Sequence, residues 1–318
     1  MESSEIQAQP EIKFVYSEHS LSNFKNIWEE VKYSNIILLE GVGGSDDSRR
    51  FNEFFINYAA LSADPQFKKN ALHLLENPGN NIDFHSKLVE AVVQNEKEFH
   101  YIDESDRGEG KRFSDIAKTE IEAAIEIHLS GKPLDAYEHY KKYVSNMTKA
   151  IKLRNETVKK QITELIKSNS TSWFGKKIAV IQGEGHRETY PDLKRTIVDA
   201  KLTRTFLQPK ISFAILSEIE NRINHGKDQN IEDLIKRGFL GVFVIPRKSE
   251  EIPNGVDIKT ADKILRLIPN EELNVYFEKI KKLQEYLSDK NNKKFNEEYL
   301  TRQLEIMGTE IIEKYSKQ

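Results

Sequence analysis

The chain contains no cysteine. That excludes a disulfide framework, a zinc–thiolate site and a cysteine nucleophile. Any metal must then be held by His, Asp, Glu and water. No apolar run approaches the roughly 18 residues of a membrane span, so no transmembrane helix is expected. Residues 1–10 are polar and acidic, without the basic-then-apolar pattern of a secretory signal. They read as a flexible tail, and the expectation is a cytoplasmic protein, with signal-independent export left open. Neither sign of charge dominates: 48 Lys and Arg stand against 51 Asp and Glu, a formal net charge of -3. No global field favours nucleic acid or an anionic membrane. Several catalytic signatures are missing as well. There is no HExxH and no GxSxG elbow, and Gly41-Val42-Gly43-Gly44 lacks both the Lys-Ser/Thr pair of a phosphate loop and the third glycine of a dinucleotide loop.

What is present suits a large α/β protein. The 318 residues are 31% charged and 38% apolar, enough for a core domain with an appendage. The chain is organised around Lys177-Ile178-Ala179-Val180-Ile181-Gln182-Gly183-Glu184-Gly185-His186. A short apolar run of this kind fills a buried strand. It stops in two glycines bracketing a carboxylate, and then an imidazole. Glycine there permits a sharp turn and close approach of a ligand to the backbone.

Other segments follow the same plan. Glu11–Ser17 reads as the first strand, followed by His19 and a helix to about Tyr33 with Leu21, Phe24, Ile27, Trp28 and Val31 on one face. Asn35–Glu40 is the second strand. Phe99–Ile102 is the third, ending in Asp103-Glu104-Ser105-Asp106-Arg107. Helical text at about 113–168 reads as an insertion before the fourth strand, the stretch above. Helices are expected at Leu193–Ala200 and Phe213–Ile223, and a fifth strand at Phe239–Ile245. The expected architecture is a mostly parallel central sheet with flanking helices. It comprises a core over 11–248, containing that insertion, and a helical C-terminal appendage over 249–318.

Parallel strands bring their carboxyl ends to one edge, where open α/β sheets bind ligands. That edge would gather His19, Glu40, Arg107, Glu184 and His186. Two imidazoles and a carboxylate, His19, His186 and Glu40, suit a divalent transition metal such as Mn, Co, Zn or Fe. Such an ion lowers the pKa of bound water, and a nearby carboxylate accepts its proton. Without metal, a histidine and Glu40 would activate water directly. Plainer readings stand beside these. His19 can be a capping or core histidine, Glu40 an acceptor for backbone N–H groups, and Asp103–Arg107 an exposed ion-pair loop. The histidines at 73, 85, 100, 128, 139 and 225 suggest no role.

At these residues the sequence resembles the TraB/TIKI group within the erythromycin-esterase and ChaN-like superfamily. Gly183-Glu184-Gly185-His186 matches that group's second GxxH motif. Leu38-Leu39-Glu40, with Arg50 after it, is similar to its strand-two glutamate and following arginine. Asp106-Arg107, with Arg112, is similar to its acidic–arginine loop, and Arg154-Asn155-Glu156 resembles its helix arginine, with Asn155 where an acid is usual. The first GxxH is half present: His19 aligns, but Tyr16 replaces the glycine. The resemblance covers about 12–206. It implies a hydrolase, peptidase- or esterase-like and metal-assisted, acting on a peptide or small-molecule substrate. Glu40, Glu184 and His186 would then be catalytic, with Arg107 and Arg154 binding substrate or transition state. The alternative is a non-catalytic effector on the same scaffold, holding a protein partner through the cleft or the C-terminal helices, or a haem or iron binder.

Overall fold

The computed structural model describes residues 9–17, 19–40, 83–102, 108–197, 200–207, 211–224, 231–246, 255–288 and 293–317. The chain divides into two compact units, Met1–Lys111 with Ile151–Gln208, and Arg112–Ala150 with Pro209–Gln318.

The first unit is the expected α/β fold. Strands β1 (Glu11–Ser17), β2 (Ile36–Leu39), β3 (Glu98–Tyr101), β4 (Lys177–Gln182) and β5 (Lys201–Leu207) form one sheet in the order β3-β2-β4-β1-β5. Every pairing is parallel. β2 is buried at all four residues and β4 from Ile178 onward, because a parallel strand covered on both faces needs apolar side chains on both.

Helices α1 (Leu21–Val31) and α2 (Asp83–Gln94) precede β3. Helices α3 (Glu109–Leu129) and α4 (Pro133–Ser168) lie between β3 and β4, and α5 (Thr189–Thr196) between β4 and β5. One face of the sheet, with Val15, Ile37, Leu39, Ala179 and Ile181, packs on Ile27 and Val31 of α1 and on Leu88, Val89 and Val92 of α2. The other, with Phe14, Tyr16, Leu38 and Val180, packs on Val158 and Ile162 of α4 and Leu193 of α5. The strand period of two thus sorts neighbouring residues into two separate cores. In α1 the expected stripe is shifted: Leu21 is exposed and Asn23 is buried.

The second unit is helical. It holds most of α3, residues 133–150 of α4, and α6 (Ile211–Asn224), α7 (Ile231–Phe243), α8 (Ile258–Leu267), α9 (Asn270–Ser288) and α10 (Lys293–Tyr315). Residues 113–150 of the segment read as an insertion therefore share one unit with the C-terminal helices, while 151–168 belong to the α/β unit, and the helical unit resumes at Pro209. The fifth strand is also not where it was expected. Residues 239–243 belong to α7, and the strand is Lys201–Leu207. An unbroken apolar run fits a buried helix as well as a strand. Here Leu234, Gly238 and Gly241 are buried at the i, i+4, i+7 spacing of a helix. No helix among the described residues is long and apolar enough to cross a membrane.

Candidate functional site at the carboxyl edge of the sheet

Glu40 follows the last residue of β2, and its own N–H still donates to Ile181 O of β4 at 3.0 Å. The strand ladder therefore fixes where its side chain starts. That side chain is buried and lies on the α4 face, the side of Ile36 and Leu38. Its carboxylate accepts three contacts. Arg154 Nη2 donates to Oε1 at 2.8 Å, His186 Nε2 lies 2.9 Å from the same oxygen, and Gly183 N–H donates to Oε2 at 2.5 Å.

The positions of these donors follow from the local sequence. His186 N–H donates to Gly183 O at 3.0 Å, closing a single 3₁₀ turn over Glu184–His186. That turn brings the imidazole back over the strand ends. Asn155 lies one helical turn before Val158 and two before Ile162, on the buried stripe of α4 that faces the sheet. Its Oδ1 sits 2.5 Å from His186 Nδ1. Thr189, at the start of α5, donates from its hydroxyl to His186 O. Glycine at 183 is not demanded by crowding, because a Cβ there would meet Glu40 Oε2 at 3.5 Å, an ordinary contact. Positive φ is confined to Gly131, Gly175 and Glu96 among the described residues, so the two glycines beside Glu184 make this turn with ordinary backbone.

Burial by itself would push the Glu40 carboxyl up. The charges of His186 and Arg154 and the contact with His186, aided by the charge of His19, hold it well below the usual carboxylate range instead. Glu40 is therefore an anion that resists protonation. Both nitrogens of the His186 ring are engaged, Nε2 by Glu40 Oε1 and Nδ1 by Asn155 Oδ1. His186 thus braces Glu40 and has no nitrogen left for a substrate.

No protein-family model, curated protein or solved structure matches this chain.

His19, two residues past β1, is half-buried. Its ring stacks on Phe84 with centroids 5.2 Å apart and meets His85 edge-on at 5.1 Å. Its charge bears on both Glu40 and His85. The sequence suggests no role for His85. It is buried in the first turn of α2, and its ring bonds to the backbone of Glu40. Burial and then the charge of His19 push it down to about 3, against the opposing pull of Glu40. Nothing local to residues 83–87 signals this placement, because the docking of α2 decides it. Asn155 stands out in the sequence as a departure from a motif; its helical phase with Val158 and Ile162 is the signal that places it.

The structure thus brings Glu40, His186 and Arg154 into contact and sets His19 beside them. Arg107, like the rest of 103–107 and Arg50, lies outside the described residues. Glu184 falls within the 3₁₀ turn, and its side chain is likewise outside them. For a metal the donor set is incomplete. His186 Nε2 and Glu40 Oε1 are spaced like two ligands of one ion with bonds of about 2.1 Å, and Asn155 holds Nδ1 as an outer partner of a ligating histidine does. Among the described residues, however, no three His, Asp or Glu side chains are grouped to hold an ion.

Proposed function

We propose that this chain is a hydrolase of peptide- or ester-like bonds working at the carboxyl edge of its sheet. The observation that carries the reading is the buried Glu40 carboxylate. It is kept ionised by Arg154, His186 and the Gly183 N–H, beside a half-buried imidazole. In this reading His19 takes the proton of the attacking water, and the fixed charge of Glu40 steadies the imidazolium that results. His186 and Asn155 hold Glu40 in place. Arg154 supplies positive charge next to an oxygen that turns negative. Glu184 is a second acid and Arg107 a substrate binder, both on sequence grounds alone.

A second reading has His19, Glu40 and His186 closing on a divalent transition metal; of these, His186 Nε2 and Glu40 Oε1 lie 2.9 Å apart. Such an ion would supply a bound water of lowered pKa.

The test is a panel of p-nitrophenyl esters and fluorogenic peptide amides, applied to protein purified without chelator. Glu40→Gln and His19→Ala should each lower turnover at least 100-fold while melting remains cooperative. Turnover that survives both substitutions, or a wild type inert to the whole panel, defeats the hydrolase reading and leaves the effector alternative. Elemental analysis of the same samples separates the two versions. A stoichiometric transition metal that is lost from the His19→Ala variant selects the ion.

A further inference from the structure

Strand β5 closes one side of the sheet, with β1 as its only strand partner among the described residues. Four of its seven residues are exposed, Arg204 and Phe206 among them, whereas β2 is buried throughout. Lys201 N–H donates to Pro10 O at 3.0 Å. Backbone groups alternate in direction along a strand. Lys201, Thr203, Thr205 and Leu207 therefore serve β1, while Leu202, Arg204 and Phe206 turn their N–H and C=O groups outward. Leu202 O accepts the Tyr190 hydroxyl at 3.3 Å. Arg204 and Phe206 have no backbone partner on that side among the described residues.

An open row of this kind can take up a further strand. Sheets that keep such a row closed shorten it, kink it or place proline on it. β5 pairs with β1 at all seven positions, holds no proline, and leaves the Phe206 ring 37% exposed. That ring stacks on buried Tyr16 with centroids 5.0 Å apart. The guanidinium groups of Arg204 and Arg187 stand 5.4 Å and 5.2 Å from its centre. Arg204 also lies 4.9 Å from the centre of the Tyr190 ring, which carries Lys194 at 5.9 Å. Neither Arg204 nor Lys194 has a carboxylate partner among the described residues. The acids on this side are Glu11, paired with Lys201 at 2.9 Å, and Glu188, which precedes α5. Cations beside open backbone select the partner by charge. A second copy of β5 would set the same Arg and Lys residues against each other, and like charges across strands are unfavourable. We infer that this side of the sheet takes up an extended acidic peptide as an added strand. Its backbone bonds to Arg204 and Phe206, its carboxylates meet Arg204 and Lys194, and an apolar side chain covers the Phe206 ring.

The test is calorimetric titration of the full chain with acetyl-Thr-Glu-Thr-Val-Thr-Glu-Thr-amide, whose Glu, Val and Glu share one face of a strand. It should bind with a Kd below about 1 mM. The analogue with lysine for both glutamates should bind about tenfold more weakly or worse. N-methyl groups on alternate peptide nitrogens block one side of a strand only, so one alternate set should abolish binding and the other should leave it intact. Arg204→Gln should remove the preference for glutamate with melting unchanged, and Arg204→Glu should reverse it. The absence of binding overturns the inference. So does equal loss from both methylated sets, which means attraction by charge without strand pairing, and so does a preference that Arg204→Gln leaves in place. A wild type that sediments as a dimer, and as a monomer in Arg204→Glu, puts a second copy on β5 and overturns it as well.

Discussion

The two units of the chain fill their interiors with different chemistry. Nine of the eleven buried polar residues among those described lie in the α/β unit, and the helical unit holds Thr148 and Glu220. The helical unit is instead centred on rings. Phe239 lies 5.3 Å from Tyr137, 5.8 Å from Tyr140, 4.7 Å from Phe243 and 5.8 Å from Phe277, centroid to centroid. Gly238 belongs to the same packing, since a Cβ there would strike the Tyr140 hydroxyl. An apolar interior is sufficient to specify a shape. Buried Glu, His, Asn and Gln are more costly to keep, and they collect at one end of one sheet. That contrast is the physical ground for placing function there.

The largest expected effect breaks the aromatic side of the comparison. Phe239→Ala should cost about 4 kcal/mol, seen as a lower urea midpoint, with no change in the substrate preference of the carboxyl edge measured well below the melting temperature. A stability loss under about 1 kcal/mol would mean that the ring cluster is not the core it resembles.

The sequence made the α/β unit legible where one strand reads unambiguously. Ile36–Leu39 and Ile178–Ile181 are apolar at every position, and the polar residues that follow them, Glu40 and Gln182, mark the carboxyl edge. The meeting of Glu40 with His186 follows from those two strands being neighbours. β5 was illegible because Lys-Leu-Thr-Arg-Thr-Phe-Leu has little apolar signal and relies on pairing with β1. Phe239–Ile245 misled for the opposite reason, since helix packing in the second unit decides its shape. His85 reaches Glu40 through tertiary docking of α2, which no local spacing encodes.

An intermediate effect concerns the histidines on the two sides. His85, in the α/β unit, is held down to about 3 by burial and by His19, whereas an unfolded histidine binds its proton near pH 6.5. The unfolded chain therefore takes up a proton that the folded chain refuses. The stability contribution is full above about pH 6.5 and is lost as pH falls toward 3. Roughly 2 kcal/mol should disappear between pH 6.5 and pH 5. Glu40 does not enter this window, because its lowered value matters only below the ordinary carboxylate range. His128 of the helical unit is also lowered by burial. Denaturant melts at pH 5 and 6.5 separate the two: His85→Gln should flatten most of the slope and His128→Gln less of it. If the order is reversed, the more protected histidine lies in the aromatic unit.

The smallest effect sharpens the comparison at the level of single helix caps. Asp257 precedes α8 with extended backbone, and its Oδ1 accepts the Thr260 N–H at 2.9 Å while its Oδ2 accepts the Thr260 hydroxyl at 2.8 Å. One of the helix's four orphan N–H groups is satisfied there. Ser20 occupies the same place before α1, also with extended backbone, but makes no cap bond, and its hydroxyl lies 2.9 Å from that of Ser22. Asp257→Ala should therefore cost about 1 kcal/mol, and Ser20→Ala only a few tenths, at most about 0.3 kcal/mol. The contrast has a physical basis in position: α1 is held by Ile27 and Val31 against the sheet and can start without a cap. Equal losses in the two variants would show that Ser20 turns inward in solution to cap α1, and that the α/β unit depends on its surface bonds as much as the helical one does.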